Sequence, residues 1–203
     1  MSADVVARLL SDRWDDALEA AVRSAADVAD APVAFISLHT PRLALFTAHV
    51  GLPPELEISR ATTRDRSLCR AAVDKGVVVH LKDLALHPEV RPELVDDFPV
   101  RALLCVPLRV GFVVVGALGV LDQRPRTFTA AISAEVLALG AVAEARLAQR
   151  YEESVDVDVD AAERLPYLRL LLAAQVGALS PEAMIRALRV LPPVPVSLRS
   201  VAR

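Results

Sequence analysis

Only seven glycines punctuate the 203 residues, and they do not gather into the Gly-rich loop that cradles a nucleotide phosphate. No phosphoacceptor histidine box surrounds any of the four histidines, so no phosphotransfer output module is recognisable. Basic charge is not in excess: 23 Lys and Arg face 26 Asp and Glu, for a net charge of -3, which excludes the electrostatic footprint of a nucleic-acid binder. No segment approaches the ~20 consecutive apolar residues that span a bilayer, and MSADVVARLLSDRWDD has none of the basic and apolar regions of a signal peptide. With only two cysteines, Cys69 and Cys105, reduced thiols in a cytosol are expected. The chain therefore reads as cytoplasmic, with neither nucleic acid nor membrane as partner.

What is present suits a well-packed domain: 54% of residues are apolar and 24% charged. The length accommodates one domain of ~100–150 residues and an appendage. Apolar residues recur at helical spacing from Asp4 to Ala29, with a possible break near Ser11. Pro32 ends that pattern, and Val33–His39 and Leu43–Val50 read as a β-hairpin turning at Thr40-Pro41-Arg42. Residues 51–63 carry Pro53-Pro54 and little periodicity, which predicts a loop. A short helix follows, closed by Gly76. Val77–Leu81, Val100–Val110 and Phe112–Asp122 read as strands, the last two joined at Gly111. Thr129 to Arg150 then presents Ile132, Val136, Leu139, Val142 and Leu147 along one face of a second long helix. Helices on one face of an antiparallel sheet of about five to six strands make an α+β fold, because a hairpin alone cannot bury its apolar side.

The domain is expected to span residues 1–150, with an acidic linker over 151–163 and a helical hairpin and extended tail over 164–203. Ser180-Pro181-Glu182 has Ser at N-cap and Pro at N1 of the hairpin's second helix. Between the third and fourth of those strands, the excursion Lys82 to Pro99 is longer than a tight connection, and such segments are usually lids or binding loops.

Asp83, His87-Pro88, Arg91, Val106-Pro107-Leu108, Gly116, Val120-Leu121-Asp122 and Pro125-Arg126-Thr127-Phe128 fall in an order that resembles the second half of a bacterial GAF domain. The resemblance covers roughly Asp15 to Arg150. It implies a sensing or regulatory module, with helices that frequently bundle with those of a second protomer, and it names neither ligand nor cofactor. Covalent bilin attachment, which in phytochrome-like members uses a Cys-His pair before a Val-Arg-Ala segment, meets Arg91-Pro92-Glu93 ahead of Val100-Arg101-Ala102 here. The Asn-Lys-Phe-Asp-Glu set of the cyclic-nucleotide branch is not found.

Seven residues are candidates for ligand contact: Phe35, Phe46, Cys69, His87, Arg91, Phe98 and Arg101. His87, Arg91 and Phe98 belong to the lid, and the two arginines suit bidentate pairing with an anionic group, or with Glu93, Asp96 or Asp97. Cys69 stands near a helix start among Arg64, Arg66 and Arg70, where a thiol pKa can fall, although a small buried apolar side chain fits the position as well. Cys105 reads as core. No two histidines share the local spacing of a metal site, so no metal is expected.

Three functions follow in order. The first is a homodimeric small-molecule sensor whose lid and flanking helices respond to ligand. The second is a ligand-free interaction module, Phe35, Phe46 and Phe98 filling the pocket and residues 164–203 meeting a protein partner. The third is thiol chemistry at Cys69, as a redox sensor or as a reductase similar to free-methionine sulfoxide reductase, which implies paired cysteines in the lid, where this chain has none.

Overall fold

Alternation along the strands, read in three dimensions, places two cores on one sheet. The computed structural model describes residues 5, 6, 9, 15–87, 90, 100–154, 180, 182, 183 and 186. Six antiparallel strands, β1 (Val33–His39), β2 (Leu43–Val50), β3 (Ala61–Thr63), β4 (Val79–Leu81), β5 (Ala102–Val110) and β6 (Val113–Asp122), lie in the order β3-β2-β1-β6-β5-β4. Every residue of β1 is buried, which explains its unbroken apolar run: Ala34, Ile36 and Leu38 face one side, Val33 and Phe35 the other.

Two long helices cover the first side. Helix α1 (Asp16–Ala29) begins where the Asp15 carboxylate accepts from the Leu18 N–H at 3.2 Å, and it buries Leu18, Val22, Ala25 and Ala29. Val5, Val6 and Leu9 are also helical; residues 10–14, around the break expected near Ser11, lie outside the described residues, and the helix starts afresh after its Asp15 cap. Helix α4 (Ala130–Glu153) starts at Thr129, whose hydroxyl accepts from Ile132 N–H at 3.2 Å, and runs three residues beyond Arg150. Arg146 lies 2.8 Å and Arg150 3.7 Å from the buried Asp15 carboxylate, tying the two helices together.

Short elements close the second side. Residues 51–63, expected as loop, contain helix α2 (Pro54–Ser59) and strand β3; proline at the first helical position hides the start of so short a helix. Helix α3 (Arg70–Lys75) ends as expected at Gly76, whose φ of 65° is the left-handed cap that glycine adopts without strain. The remaining strands begin one or two residues later than predicted, at Val79, Ala102 and Val113.

No described helix is long and apolar enough to cross a membrane. Residues 155–179 and 187–203, most of the expected linker and appendage, lie outside the described residues. The expected cap at Ser180 is present, with Ala183 N–H donating to Ser180 Oγ at 3.1 Å.

Candidate functional site

On the side away from α1 and α4 the short elements do not fill the space they enclose. They leave a cavity of about 410 Å³, within the range of small-molecule sites. Its floor is β1, β2 and β6, through Val33, Phe35, Phe46 and Leu121. Phe35 and Phe46 meet edge to face with centroids 5.1 Å apart, a favoured geometry that locks both rings. Leu52, Pro53 and Leu56 form one wall, and Arg66, Ser67 and Leu68 another. Polar groups gather at the rim, where Thr62, Arg66, Ser67, Asp122 and Gln123 surround an apolar interior.

The rim is tied into the fold. Ser67 Oγ lies 3.5 Å from His39 Nε2, which also meets Ser37 Oγ at 3.2 Å. His39 is fully buried, and desolvation, reinforced by the Arg64 charge, pushes its pKa down to about 3. It is therefore a neutral structural hydrogen-bonding group, not a proton donor at neutral pH. Asp122 accepts from Arg124 N–H at 2.9 Å and lies 2.8 Å from Arg126. Arg126 donates in turn to the carbonyls of Ala29 and Asp30 at the end of α1, and its N–H donates to the Lys82 carbonyl at 3.0 Å. One arginine thus joins the rim, the start of the 82–99 excursion and a long helix of the opposite face.

The seven sequence candidates separate here. Phe35 and Phe46 line the cavity as expected. Cys69 does not: it is 0% exposed and bonded to Cys105, with Cα atoms 5.9 Å apart. The expectation of two reduced thiols is corrected by this pairing, as is that of a low-pKa thiol, since no described cysteine is free. Packing of α3 on β5 closes the 36 residues between them, a proximity that no local sequence pattern announces. Arg101 is turned to another task. Its Nε and a terminal nitrogen donate to the two Asp83 oxygens at 2.9 and 2.7 Å, a bidentate pairing within the protein; Glu93, Asp96 and Asp97 lie outside the described residues. That pairing holds the Asp83 carboxyl below its ordinary pKa, while the same carboxylate caps the following turn through Ala85 N–H at 3.1 Å. His87 sits at the end of that turn and is not among the residues lining the cavity. Arg91 and Phe98 lie outside the described residues.

Of the expected lid, Lys82 to His87 and Val90 do not line the cavity, and residues 88, 89 and 91–99 lie outside the described residues. The described part of the cover comes from residues 51–68, which the sequence reading did not assign to the site. The available signal was the pair Leu52 and Leu56, one helical turn apart in a segment dismissed for its prolines. Among the described residues no three His, Cys, Asp or Glu side chains converge as metal ligands would. The lining formed by the described residues is mainly apolar with a few hydroxyl, amide and charged groups, a combination suited to holding a small molecule.

Comparison with known proteins follows the same line. Residues 11–145 match the sequence family described as GAF domain. No curated protein matches. Among solved structures, the GAF domain of a phosphoenolpyruvate-protein phosphotransferase from Acinetobacter aligns with a TM-score of 0.56 at 22% identity, over 78% of this chain and 98% of that one. A GAF domain/HD domain protein from Geobacter sulfurreducens aligns with a TM-score of 0.57 at 18% identity, over 73% and 98%. A type II free methionine-R-sulfoxide reductase from Thermoplasma acidophilum aligns with a TM-score of 0.53 at 15% identity, over 68% and 92%. At these identities the likeness is one of fold.

Proposed function

The chain belongs to the GAF domain family, and from that membership and its cavity we propose that it is a non-catalytic small-molecule sensor. The observation that carries the reading is the cavity of about 410 Å³ walled by Phe35, Phe46, Leu52, Leu56 and Leu68 and polar only at its rim. Its ligand is a compact molecule with an apolar body and one polar end directed toward Arg66, Ser67 and Asp122. Binding stiffens the 51–68 cover and displaces Asp122. Through the Asp122–Arg126 contact and the Arg126 bonds to Ala29 and Asp30, the displacement reaches the end of α1 and alters what the helical face offers a partner.

Native mass spectrometry beside the denatured mass of the same sample tests this reading. A non-covalent adduct, absent from a Leu68→Trp variant whose indole fills the cavity, is the expected result. An adduct that survives the filled cavity would place the ligand elsewhere and overturn the proposal.

A second reading, an interaction module, draws on the exposed apolar residues Leu137 and Val142 of α4, which are 51% and 55% exposed. Its occupant is a second copy of the chain. Sedimentation of wild type against Leu137→Glu decides it: a concentration-dependent dimer lost in the variant supports the reading, and a wild-type monomer at high concentration removes it. The reductase reading has weaker geometric support, since Cys69 and Cys105 are each 0% exposed and neither lines the cavity.

A further inference from the structure

We propose that Cys69 and Cys105 form a two-electron redox centre whose state sets the mobility of the cavity wall, with a small or protein dithiol as its reductant. The inference rests on the reading of the cavity as a binding site and adds a control to it. Cys69 directly follows Ser67 and Leu68, two wall residues, and stands at the N-cap of α3 without any side-chain cap. Helix α3 is only six residues long and buries Ala72 and Val73 alone. Its bond to Cys105, in the interior of β5, is therefore a main anchor of the wall to the sheet.

The sulfur also lies beside the cavity floor, in the same core and on the same face of the sheet. A Cβ added at Gly119 would come 3.0 Å from Cys69 Sγ and 2.8 Å from Phe35 Cζ, so the sulfur and the ring share the space that glycine leaves open. Phe35 lines the cavity and is held edge to face by Phe46. Breaking the bond thus releases the wall at Leu68 and loosens the packing beside Phe35.

The chemistry is thiol–disulfide exchange. A thiolate of the external dithiol attacks Cys69 Sγ, the Cys69–Cys105 bond breaks, and Cys105 leaves as a thiolate. The second thiol of the reductant then attacks the mixed disulfide and releases Cys69. The protein gains two electrons and two protons and the reductant becomes a disulfide; a small-molecule disulfide reverses both steps. Because both sulfurs are fully buried, attack requires local opening of α3, and a ligand that holds Leu68 in place slows it.

Hydrogen exchange on the full chain, oxidised by glutathione disulfide or reduced by dithiothreitol, tests the proposal, with thiols counted by alkylation after denaturation. The expected result is no reactive thiol in the oxidised sample and two in the reduced one. Amides of residues 66–76 should exchange roughly tenfold faster after reduction while those of α1 and α4 do not change. A Cys105→Ala variant should show the fast pattern in both conditions. Equal exchange over residues 66–76 in the two states, or two free thiols persisting in the oxidant, overturns the proposal. Anilinonaphthalene sulfonate serves as an apolar probe of the cavity in parallel. If it binds neither state while the exchange difference persists, the binding reading fails and the redox centre stands.

Discussion

On the helical face of the sheet, Ile36, Leu104, Leu118 and Val120 meet two long helices and are 0% exposed, whereas on the opposite face Phe35, Phe46 and Leu121 meet short elements that leave about 410 Å³ unfilled. Neighbouring residues of the same strands take part in both. A 24-residue helix offers an unbroken apolar stripe that can match a sheet along its length; a six-residue helix, 3-10 turns and prolines cannot. The difference teaches that stability and binding are allocated to opposite sides of one sheet. The covered side supplies most of the close packing, and the open side gives up packing for access.

If that allocation holds, the largest loss comes from the covered face. Leu104→Ala, on β5 beneath α4, should lower unfolding free energy by about 3 to 5 kcal/mol in urea titrations. A loss below about 1 kcal/mol would mean that this face is as loosely packed as the other. Reducing the Cys69–Cys105 bond tests the open face next. Cross-linking residues 36 apart constrains the unfolded chain, so Cys105→Ala should cost about 2 to 4 kcal/mol, seen as a lower urea midpoint that dithiothreitol does not shift further.

The third test is acid. His39 has a folded pKa of about 3 against its ordinary 6.5, so the unfolded state binds the extra proton between those values. Stability is full above the ordinary value and declines as pH falls toward the folded one, by about 2 kcal/mol near pH 5. His39→Asn should flatten that slope in unfolding measured across this range, and an unchanged slope would assign the acid sensitivity elsewhere. Smallest of all is Asp83→Asn, at the half-buried start of the 82–99 excursion. It should leave the urea midpoint unmoved and speed exchange only around residues 83–87, where the carboxylate holds Arg101 and the turn.

Much of this molecule is legible in its sequence. The β1 and β2 bounds, the long helix after Thr129, the Gly76 cap and the Ser180 cap coincide with their sequence signals, because each depends on residues within one turn or one alternating run. Of the site, Phe35 and Phe46 were legible because an aromatic in a half-covered strand must pack against something. The Arg101 pairing was not legible, because its partner among the described residues, Asp83, lies 18 residues away across the β4–β5 ends.

The sequence by itself determined the local periods: which stretches pleat, which coil, where each is capped, and hence the α+β class and the family. Tertiary structure alone decided which distant residues meet. Cys69 finds Cys105 across 36 residues, Arg126 finds Ala29 across 97, and residues 51–68 settle over Phe35 and Phe46 to enclose the cavity. The physical reason is range: a period or a cap acts through neighbours along the chain, whereas these contacts exist only once the sheet has brought its strands into register.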